Sequence, residues 1–271
     1  MDRRLCPSSG RVAHVSLAGL TDLPLTEGEL GTIILPLADL LANPGGARDR
    51  QLVFGAPVIV IDNQAHHAFI MAQRDGYCGW VAETAIGKGQ GATHHVSSPA
   101  THLYPAPCVQ TPPISPLYLN ARLQLIDDDG KWSKTPDGFV PSCHLSALEC
   151  PADPVTVAIS LLHAPYLWGG NSIAGVDCSG LVQLAFHAAG YQLPADSDLQ
   201  QSAGRDVLAG SERRGDLIFW GGHVAVMTSP NRIIHANGHS MSVAFEGLSD
   251  AIDRIASEGG GPVIARKRLL P

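Results

Sequence analysis

The sequence predicts an α+β protein in which two small β-barrels precede a mixed domain built around one helix. Two observations predict this arrangement. Short β-rich runs alternate with turn clusters over residues 1–150, and such spacing is typical of small barrels. Further along, an apolar helical pattern begins at Cys178, and a strand–turn–strand pattern follows it.

The first predicted barrel covers residues 10–92. Its expected strands lie at 12–17, 51–61, 67–73 and 79–82. We expect residues 24–48 to form a long insertion within this barrel. Residues 36–41 are expected to form a short helix in that insertion.

The second predicted barrel covers residues 93–150, with strands expected at 94–97, 122–126, 131–134 and 138–140. Both barrels share an order of strand, aromatic strand and a Gly-aromatic-Val run. In the first barrel this run lies in Asp75-Gly76-Tyr77-Cys78-Gly79-Trp80-Val81, and in the second it is Gly138-Phe139-Val140. This order resembles that of bacterial SH3 (SH3b) domains.

Composition limits the classes of function. The chain has 271 residues, of which 45% are hydrophobic and 16% charged, so it can form buried cores. The net charge of −7, with no basic run before the last few residues, gives no support for nucleic-acid binding. The sequence contains no stretch of about eighteen apolar residues, so it predicts no membrane span. The charged N-terminus lacks the apolar core of a signal peptide, so we expect a cytoplasmic protein.

The six cysteines and twelve histidines do not show the spacing of a metal site. There is no Cys-x-x-Cys pair, and the histidine pairs at 66–67 and 94–95 are sequence neighbours whose side chains diverge on a strand. We therefore expect neither a metal nor an organic cofactor.

Cys178 is the first candidate for chemistry. It lies between Asp177 and Ser179, where a glycine-rich stretch gives way to the helical pattern. Unpaired N–H groups and the positive end of a helix dipole favour a thiolate there, and the thiolate is the nucleophilic form. Taken alone, such a cysteine is more often a small buried apolar residue.

Two histidines are placed to assist this thiol. His223 begins one predicted strand and His235 lies in the next, on either side of a Ser-Pro-Asn turn. In an antiparallel hairpin the numbers of two paired residues have a constant sum, which we expect to be about 459 here. His223 then faces residue 236, and His235 is nearly its cross-strand neighbour. Together with Cys178, the two histidines would supply a nucleophile, a base and a residue that orients the base. Without Cys178, two half-buried strand histidines would be the simpler interpretation.

Residues 155–271 resemble an NlpC/P60 cysteine peptidase domain, which has a papain-like fold. The matching motifs are Asp-Cys-Ser-Gly-Leu-Val at 177–182, Gly-Asp-Leu-Ile-Phe-Trp…His-Val at 215–224 and Ile-Ile-His-Ala at 233–236. The resemblance implies that Cys178 is the nucleophile, His223 the base and His235 the orienting residue. It also implies that Tyr166 lies beside the oxyanion site, and the alternative is that this tyrosine packs under the glycine loop.

The order of domains resembles that of γ-D-glutamyl-L-diamino acid endopeptidases. This resemblance implies that Tyr77 reaches the active site and helps to bind a free N-terminal amine, with Asp177 and Ser179 as further substrate-binding residues. The alternatives are that Tyr77 packs within its barrel and that Asp177 caps the helix. Two positions depart from the group's pattern, since Ala56 stands where a glutamate is common and Ala195 where an arginine is common.

The expected function is hydrolysis of the γ-D-glutamyl–diamino acid bond in murein peptides with a free N-terminal L-Ala, during cell-wall recycling. An endopeptidase acting on intact peptidoglycan and a non-catalytic protein that binds cell-wall fragments are the alternatives. The sequence leaves open whether lysine or diaminopimelate follows the cleaved bond, and it leaves the oligomeric state open.

Overall fold

The computed structural model describes residues 1–89 and 91–269 and divides the chain into two compact units. Unit 1 is Met1–Leu148, and unit 2 begins at Glu149. The predicted α+β class is confirmed. The predicted domain boundaries stay predictions, and residues 90, 270 and 271 of those domains lie outside the described residues.

The N-terminal part of unit 1, which we call the first lobe, spans residues 13–87. Its strands are β1 (Ala13–His14), β2 (Leu25–Thr26), β3 (Glu29–Ile33), β4 (Leu37–Leu41), β5 (Arg48–Val53), β6 (Pro57–Gln64), β7 (His67–Ala72), β8 (Cys78–Ala82) and β9 (Ile86–Gly87). Strands β3 to β9 form one antiparallel sheet in the order β5-β4-β8-β7-β6-β3-β9, while β1 and β2 form a separate parallel pair. An edge-to-face pair of Phe69 and Trp80 packs with Ile61 and Cys78 in its core.

The expected helix at residues 36–41 is wrong, because Leu37–Leu41 is strand β4. Ala38 and Leu40 are buried while Asp39 between them is exposed, which is the two-residue period of a strand. Strand β4 pairs with β5 and β8, and β3 pairs with β6 and β9. Residues 24–48 therefore supply two strands of the main sheet instead of forming an insertion outside it.

The second lobe spans residues 94–147. Its strands are β10 (His94–Val96), β11 (Ala100–Leu103), β12 (Ser115–Tyr118), β13 (Arg122–Leu123), β14 (Asp127–Asp128), β15 (Trp132–Thr135), β16 (Gly138–Pro141) and β17 (Leu145–Ala147). They form three small antiparallel sheets, ordered β13-β10-β17, β11-β12 and β14-β15-β16. A shared core contains Val96, Leu103, Leu117, Ala121, Leu123 and Val140.

The two lobes meet at the turn between β5 and β6. Phe54 packs against the core of the second lobe, and the Arg122 N–H donates a hydrogen bond of 2.9 Å to the Phe54 carbonyl. Gly55 has φ +76°, and a Cβ atom there would overlap the Arg122 carbonyl oxygen. Only glycine satisfies both the backbone conformation and the close approach at this position.

Unit 2 combines helices with a six-stranded sheet. Its elements are α1 (Pro154–Ser160), β18 (Asn171–Ser172), β19 (Gly175–Val176), α2 (Cys178–Ala188), α3 (Ser197–Gln200), β20 (Arg205–Asp206), β21 (Leu217–Trp220), β22 (His223–Ser229), β23 (Arg232–Asn237), β24 (Ser242–Gly247), α4 (Leu248–Ser257) and β25 (Ala265–Arg268). The sheet order is β20-β25-β21-β22-β23-β24, and β18 pairs with β19 alone. Short 3-10 helices, all in unit 1, cover Arg3–Leu5, Val15–Leu17, Glu83–Ala85 and Ser142–His144.

Helix α2 occupies the centre of unit 2. All of its residues are buried, and it contacts α1, β22 and β23. The other side of the sheet packs on α4, where Ala251 and Ile255 meet Ile218, Met227 and Ile233. At 11 residues, α2 is the longest helix of the described part of the chain, where no helix has the length and apolarity to cross a membrane.

The junction between the lobes predicts that Gly55→Ala destabilises unit 1 more than Gly130→Ala does. Both glycines have positive φ, but nothing lies within 4 Å of a Cβ atom at Gly130. In urea unfolding, Gly130→Ala should lower the free energy of unfolding by roughly 1 kcal/mol, because of backbone strain. Gly55→Ala should lower it by roughly 1–3 kcal/mol more, because the neighbouring backbone is displaced. Equal losses in the two variants would contradict the close approach.

Candidate active site

Cys178 is the first residue of α2, as the sequence predicts. Asp177 caps the helix, because its Oδ1 accepts hydrogen bonds from the Gly180 N–H at 2.6 Å and from the Ser179 hydroxyl at 3.0 Å. Its Oδ2 accepts from the Gly169 N–H at 2.8 Å. The carboxylate of Asp177 therefore fixes both the glycine loop and the start of the helix that carries the thiol.

The first turn of α2 lies against the glycine loop that precedes it. A Cβ atom at residue 180 would overlap the carbonyl oxygen of Gly170. Glycine at position 180 thus lets the backbone of the loop approach the helix closely. This contact holds the loop next to the start of the helix.

The sulfur of Cys178 lies against the backbone on both sides of His223. Its Sγ is 4.0 Å from the Gly222 carbonyl oxygen, and the Val224 N–H is placed to donate to it. Because α2 packs on β22, the start of this strand brings His223 to the start of the helix. The structure therefore brings the predicted nucleophile and the predicted base to one place, although their chemical roles stay predictions.

The rings of His223 and His235 are in direct contact. His223 Nε2 lies 2.9 Å from His235 Nδ1, and the ring centroids are 5.1 Å apart. The register differs from the one expected, since Val226 pairs with Ile234, so that opposed residue numbers sum to 460. By continuation His235 lies opposite residue 225, and His223 is its diagonal neighbour on the same face.

His235 has a second polar neighbour that the sequence did not reveal. Glu246 Oε2 lies 3.1 Å from His235 Nε2, at ion-pair distance but off the line of the ring N–H bond. Glu246 in turn accepts two hydrogen bonds of 2.8 Å from Arg254 of α4. In the β23–β24 register His235 faces Ala244, so Glu246 is again a diagonal neighbour on the same face.

These contacts favour one pair of tautomers for the two rings. A proton on His235 Nε2 faces the Glu246 carboxylate, which leaves Nδ1 as an acceptor. His223 then donates through Nε2 and keeps Nδ1 unprotonated. An unprotonated ring nitrogen is what a general base requires.

Burial makes the resting site neutral. It raises the pKa of the Cys178 thiol to about 12, and the nearby Asp177 carboxylate adds to this shift. Burial also lowers the pKa of His223 to about 3 and that of His235 to about 4, while Glu246 opposes both changes. The expectation that the helix N-terminus yields a thiolate is therefore wrong for this state, because desolvation outweighs the dipole.

The other residues predicted for unit 2 lie close to Cys178. Burial raises the pKa of Tyr166 to about 12, and the charges of Cys178 and Asp177 contribute, so the phenol remains a proton donor at neutral pH. Ser179 is buried and donates its hydroxyl to Asp177. Roles in oxyanion stabilisation and substrate binding stay predictions for these residues.

Tyr77 belongs to unit 1. Its side chain is buried, and the guanidinium of Arg50 lies 5.3 Å from the centre of its ring. Arg50 also forms a buried ion pair with Asp75. The predicted contact of Tyr77 with a substrate amine stays a prediction, as do the consequences of Ala56 and Ala195.

An open pocket of about 550 Å³ adjoins His223. Its lining includes Trp220, Asn237, His239, Arg254 and Glu258. In residues 1–89 and 91–269, no group of three His, Cys, Asp or Glu side chains is arranged to hold a metal ion. The expectation of a reaction without a cofactor stays a prediction.

Family models match both units. The NlpC/P60 family model matches residues 163–253, which include Cys178, His223 and His235. A model described as the bacterial dipeptidyl-peptidase Sh3 domain matches residues 40–86. The chain carries an NlpC/P60 domain preceded by a bacterial SH3 domain. This organisation confirms the resemblance that the motifs indicated.

Curated relatives include enzymes of two kinds. The gamma-D-glutamyl-L-lysine dipeptidyl-peptidase of Bacillus subtilis is 27% identical over 229 residues, which cover 74% of this chain and 76% of the relative. The peptidoglycan endopeptidase RipB of Mycobacterium tuberculosis is 36% identical over 109 residues, which cover 34% of this chain and 45% of the relative. The first alignment extends through most of both chains, whereas the second does not.

Among solved structures, an NlpC/P60 family protein from Bacillus cereus superposes with a TM-score of 0.77 at 21% identity. The match covers 90% of this chain and all of that chain. An NlpC/P60 endopeptidase from Photobacterium damselae subsp. piscicida gives a TM-score of 0.60 at 16% identity, over 87% of this chain and 70% of that chain. The common fold thus extends beyond the residues that the two family models match.

The lowered pKa of His223 predicts a stability that falls as the pH falls. The usual pKa of 6.5 applies to the unfolded chain, so unfolding takes up a proton between pH 6.5 and about 3. The stabilisation is complete above pH 6.5 and declines by about 1 kcal/mol per pH unit below it. Urea unfolding between pH 6.5 and 5 measures this decline. The free energy of unfolding should fall less steeply with falling pH in His223→Gln than in the unmodified protein.

A matched exchange at the exposed His163 of the same unit, His163→Asn, provides the control. In this variant the free energy of unfolding should depend on pH as it does in the unmodified protein. A slope that is unchanged in His223→Gln would show that the buried ring does not resist protonation.

Proposed function

We propose that this protein is a cysteine peptidase that hydrolyses the γ-D-glutamyl–diamino acid bond of murein peptides bearing a free N-terminal L-Ala. We place this reaction in the cytoplasmic recycling of cell-wall peptides. The observation that carries the proposal is the position of the Cys178 sulfur against the backbone of Gly222 and Val224, the two neighbours of His223, whose ring lies 2.9 Å from that of His235. A nucleophile, a base and an orienting group in this order are the parts of a cysteine-peptidase site.

The proposed reaction begins from the neutral pair of Cys178 and His223. The sulfur attacks the γ-carbonyl carbon of the D-glutamyl residue while the thiol proton passes to Nδ1 of His223. The tetrahedral intermediate collapses when this proton is transferred to the departing amine of the diamino acid. The resulting thioester is hydrolysed by a water molecule that His223 deprotonates, which releases L-Ala-D-Glu and restores the thiol.

Several groups support this sequence of steps. The phenol of Tyr166 stays protonated beside the thiol and is a candidate donor to the developing oxyanion. The pocket adjoining His223 offers space for the leaving diamino acid next to the residue that protonates it. Glu246 places a negative charge next to the histidine pair, where positive charge develops as His223 accepts the proton.

The choice of substrate is supported by the relative with the longest alignment. That protein is named a gamma-D-glutamyl-L-lysine dipeptidyl-peptidase, and its alignment with this chain extends well beyond the NlpC/P60 domain. The model of a dipeptidyl-peptidase SH3 domain at residues 40–86 adds to this support and includes Tyr77. A free N-terminal amine is therefore the feature we expect the enzyme to require.

A second candidate function is cleavage within intact peptidoglycan. It is favoured by the 36% identity of the NlpC/P60 region to a peptidoglycan endopeptidase, which is the higher identity of the two relatives. Such an enzyme would have no requirement for a free L-Ala amine. The two candidates therefore differ in one measurable property of the substrate.

The decisive experiment compares L-Ala-γ-D-Glu-L-Lys with its N-acetylated form. We expect release of L-Ala-D-Glu from the free peptide, and cleavage of the acetylated peptide slower by roughly a hundredfold or more, because a buried amine site rejects an uncharged group. Liquid chromatography with mass spectrometry measures both products. Equal rates would favour the endopeptidase instead.

The same assay tests the nucleophile. Cys178→Ala should abolish hydrolysis, whereas Cys150→Ala, at an exposed cysteine of the same unit, should retain it. Hydrolysis by Cys178→Ala at the unmodified rate would remove the basis of both candidate functions, because a residue other than Cys178 would then be the nucleophile.

Glu246 is predicted to act as a positioning residue. Glu246→Gln should lower kcat roughly tenfold, because a charge that stabilises the protonated histidine pair is lost. Since the carboxylate raises the pKa of His223, its loss should also move the acidic limb of the kcat/KM profile to lower pH. Glu212→Gln removes a comparable carboxylate–arginine pair, with Arg266, and should change neither quantity.

A fall in stability without a shift of the acidic limb would assign Glu246 a structural role only. Circular dichroism and urea unfolding of both variants separate the two results.

A further inference from the structure

A cleft lies between the two lobes of unit 1, and its lining contains none of the residues assigned to catalysis. Its volume is about 510 Å³, which is within the range of pockets for small ligands. We call it the interlobe cleft. Its lining includes Ile34, Leu35 and Phe54 from the first lobe and Leu103, Ile114 and Arg122 from the second. No part of the proposed peptidase reaction uses these residues.

The walls of the interlobe cleft are mainly apolar. Ile34, Leu35 and Ile114 are 44%, 39% and 55% exposed, although large aliphatic side chains are favoured in cores. They lie at a site where Phe54 and Leu103 continue the apolar surface inward. An apolar ligand body would cover side chains that otherwise remain in water.

One charged residue in the lining forms no ion pair. Arg122 is half-buried, and in residues 1–89 and 91–269 no carboxylate is paired with its guanidinium. Partial burial lowers its pKa, because a cation loses hydration there without gaining an anion. Lys88, directly after the last strand of the first lobe, lines the same cleft.

The surroundings of Arg122 add positive potential. Burial and then the charge of Arg122 lower the pKa of Arg74 to about 10, while the charge of Asp75 opposes this shift. Burial, followed by the charges of Arg74 and Arg122, also lowers the pKa of His95. Asp137 is the one acidic residue in the lining, so the cleft is locally cationic in a chain whose net charge is −7.

The backbone holds the cleft open in one shape. The turn at Phe54 and Gly55 is fixed to the second lobe by the hydrogen bond from the Arg122 N–H and by the close approach at Gly55. Both walls are therefore joined at the base of the cleft. A pre-formed cavity of this kind binds a ligand without the cost of ordering its walls.

We propose that the interlobe cleft binds a small amphiphile that has an apolar body and one carboxylate, with the carboxylate at Arg122. The aliphatic walls contact the body, and the guanidinium forms a charge-assisted hydrogen bond with the carboxylate. The proposal is independent of the proposed peptidase activity, because binding is measured without catalysis.

The test is calorimetric titration of the full-length protein with decanoate and with decan-1-ol below the concentrations at which they aggregate. We expect saturable binding of one decanoate per chain, roughly tenfold tighter than the alcohol. Arg122→Gln should weaken decanoate roughly tenfold and leave the alcohol unchanged, while Arg122→Lys should retain most of the preference. Lys134→Gln, at an exposed position outside the lining, is the control and should bind as the unmodified protein does.

A second variant tests the apolar wall. Ile114→Ser, at an exposed side chain whose loss leaves the core intact, should weaken both ligands. Equal affinities for the acid and the alcohol, or an unchanged decanoate affinity in Arg122→Gln, would overturn the assignment of Arg122. Absence of saturable binding of both ligands would overturn the proposal as a whole.

Discussion

The candidate active site depends on the register of the hairpin formed by β22 and β23. Next to the turn, Ser229 pairs with Arg232, but an irregularity between Met227 and Ser229 shifts all pairs further along by one residue. Side chains alternate between the two faces of a strand, so a one-residue slip would place His223 and His235 on opposite faces. The 2.9 Å contact between the two rings therefore rests on this single irregularity of the backbone.

The electrostatics of the site separate its resting state from its reacting state. Two permanent charges buried together lose several kcal/mol each of hydration, and a neutral thiol and imidazole avoid this loss. In the proposed reaction, positive charge appears on His223 only when a proton leaves Cys178. Glu246, held by Arg254, is fixed in advance next to the ring pair that receives this charge. A fixed charge of this kind stabilises the transition state without reorganisation.

Local patterns were sufficient for some elements and not for others. The start of α2 at Cys178 was predictable because a polar capping residue, a glycine and an apolar period occur together. The short apolar run at residues 36–41 was not, because a few residues fit a helix and a buried strand equally well. The contact of His223 with His235 was predicted from an approximate register, but the correct face requires the irregularity in β22. Glu246 was missed because its strand, Ser242–Gly247, was not assigned from the sequence.

The protonation state of Cys178 shows which of two opposing effects prevails at a helix N-terminus. The helix dipole and free N–H groups favour an anion by up to about 2 kcal/mol in partly buried sites. Removing a thiolate from water costs several kcal/mol, and Cys178 is only 8% exposed with the Asp177 carboxylate beside it. Desolvation therefore prevails, and in the proposed reaction the thiolate forms together with proton transfer to His223. In the proposed reaction the cap of α2 orients the sulfur, and the histidine pair activates it.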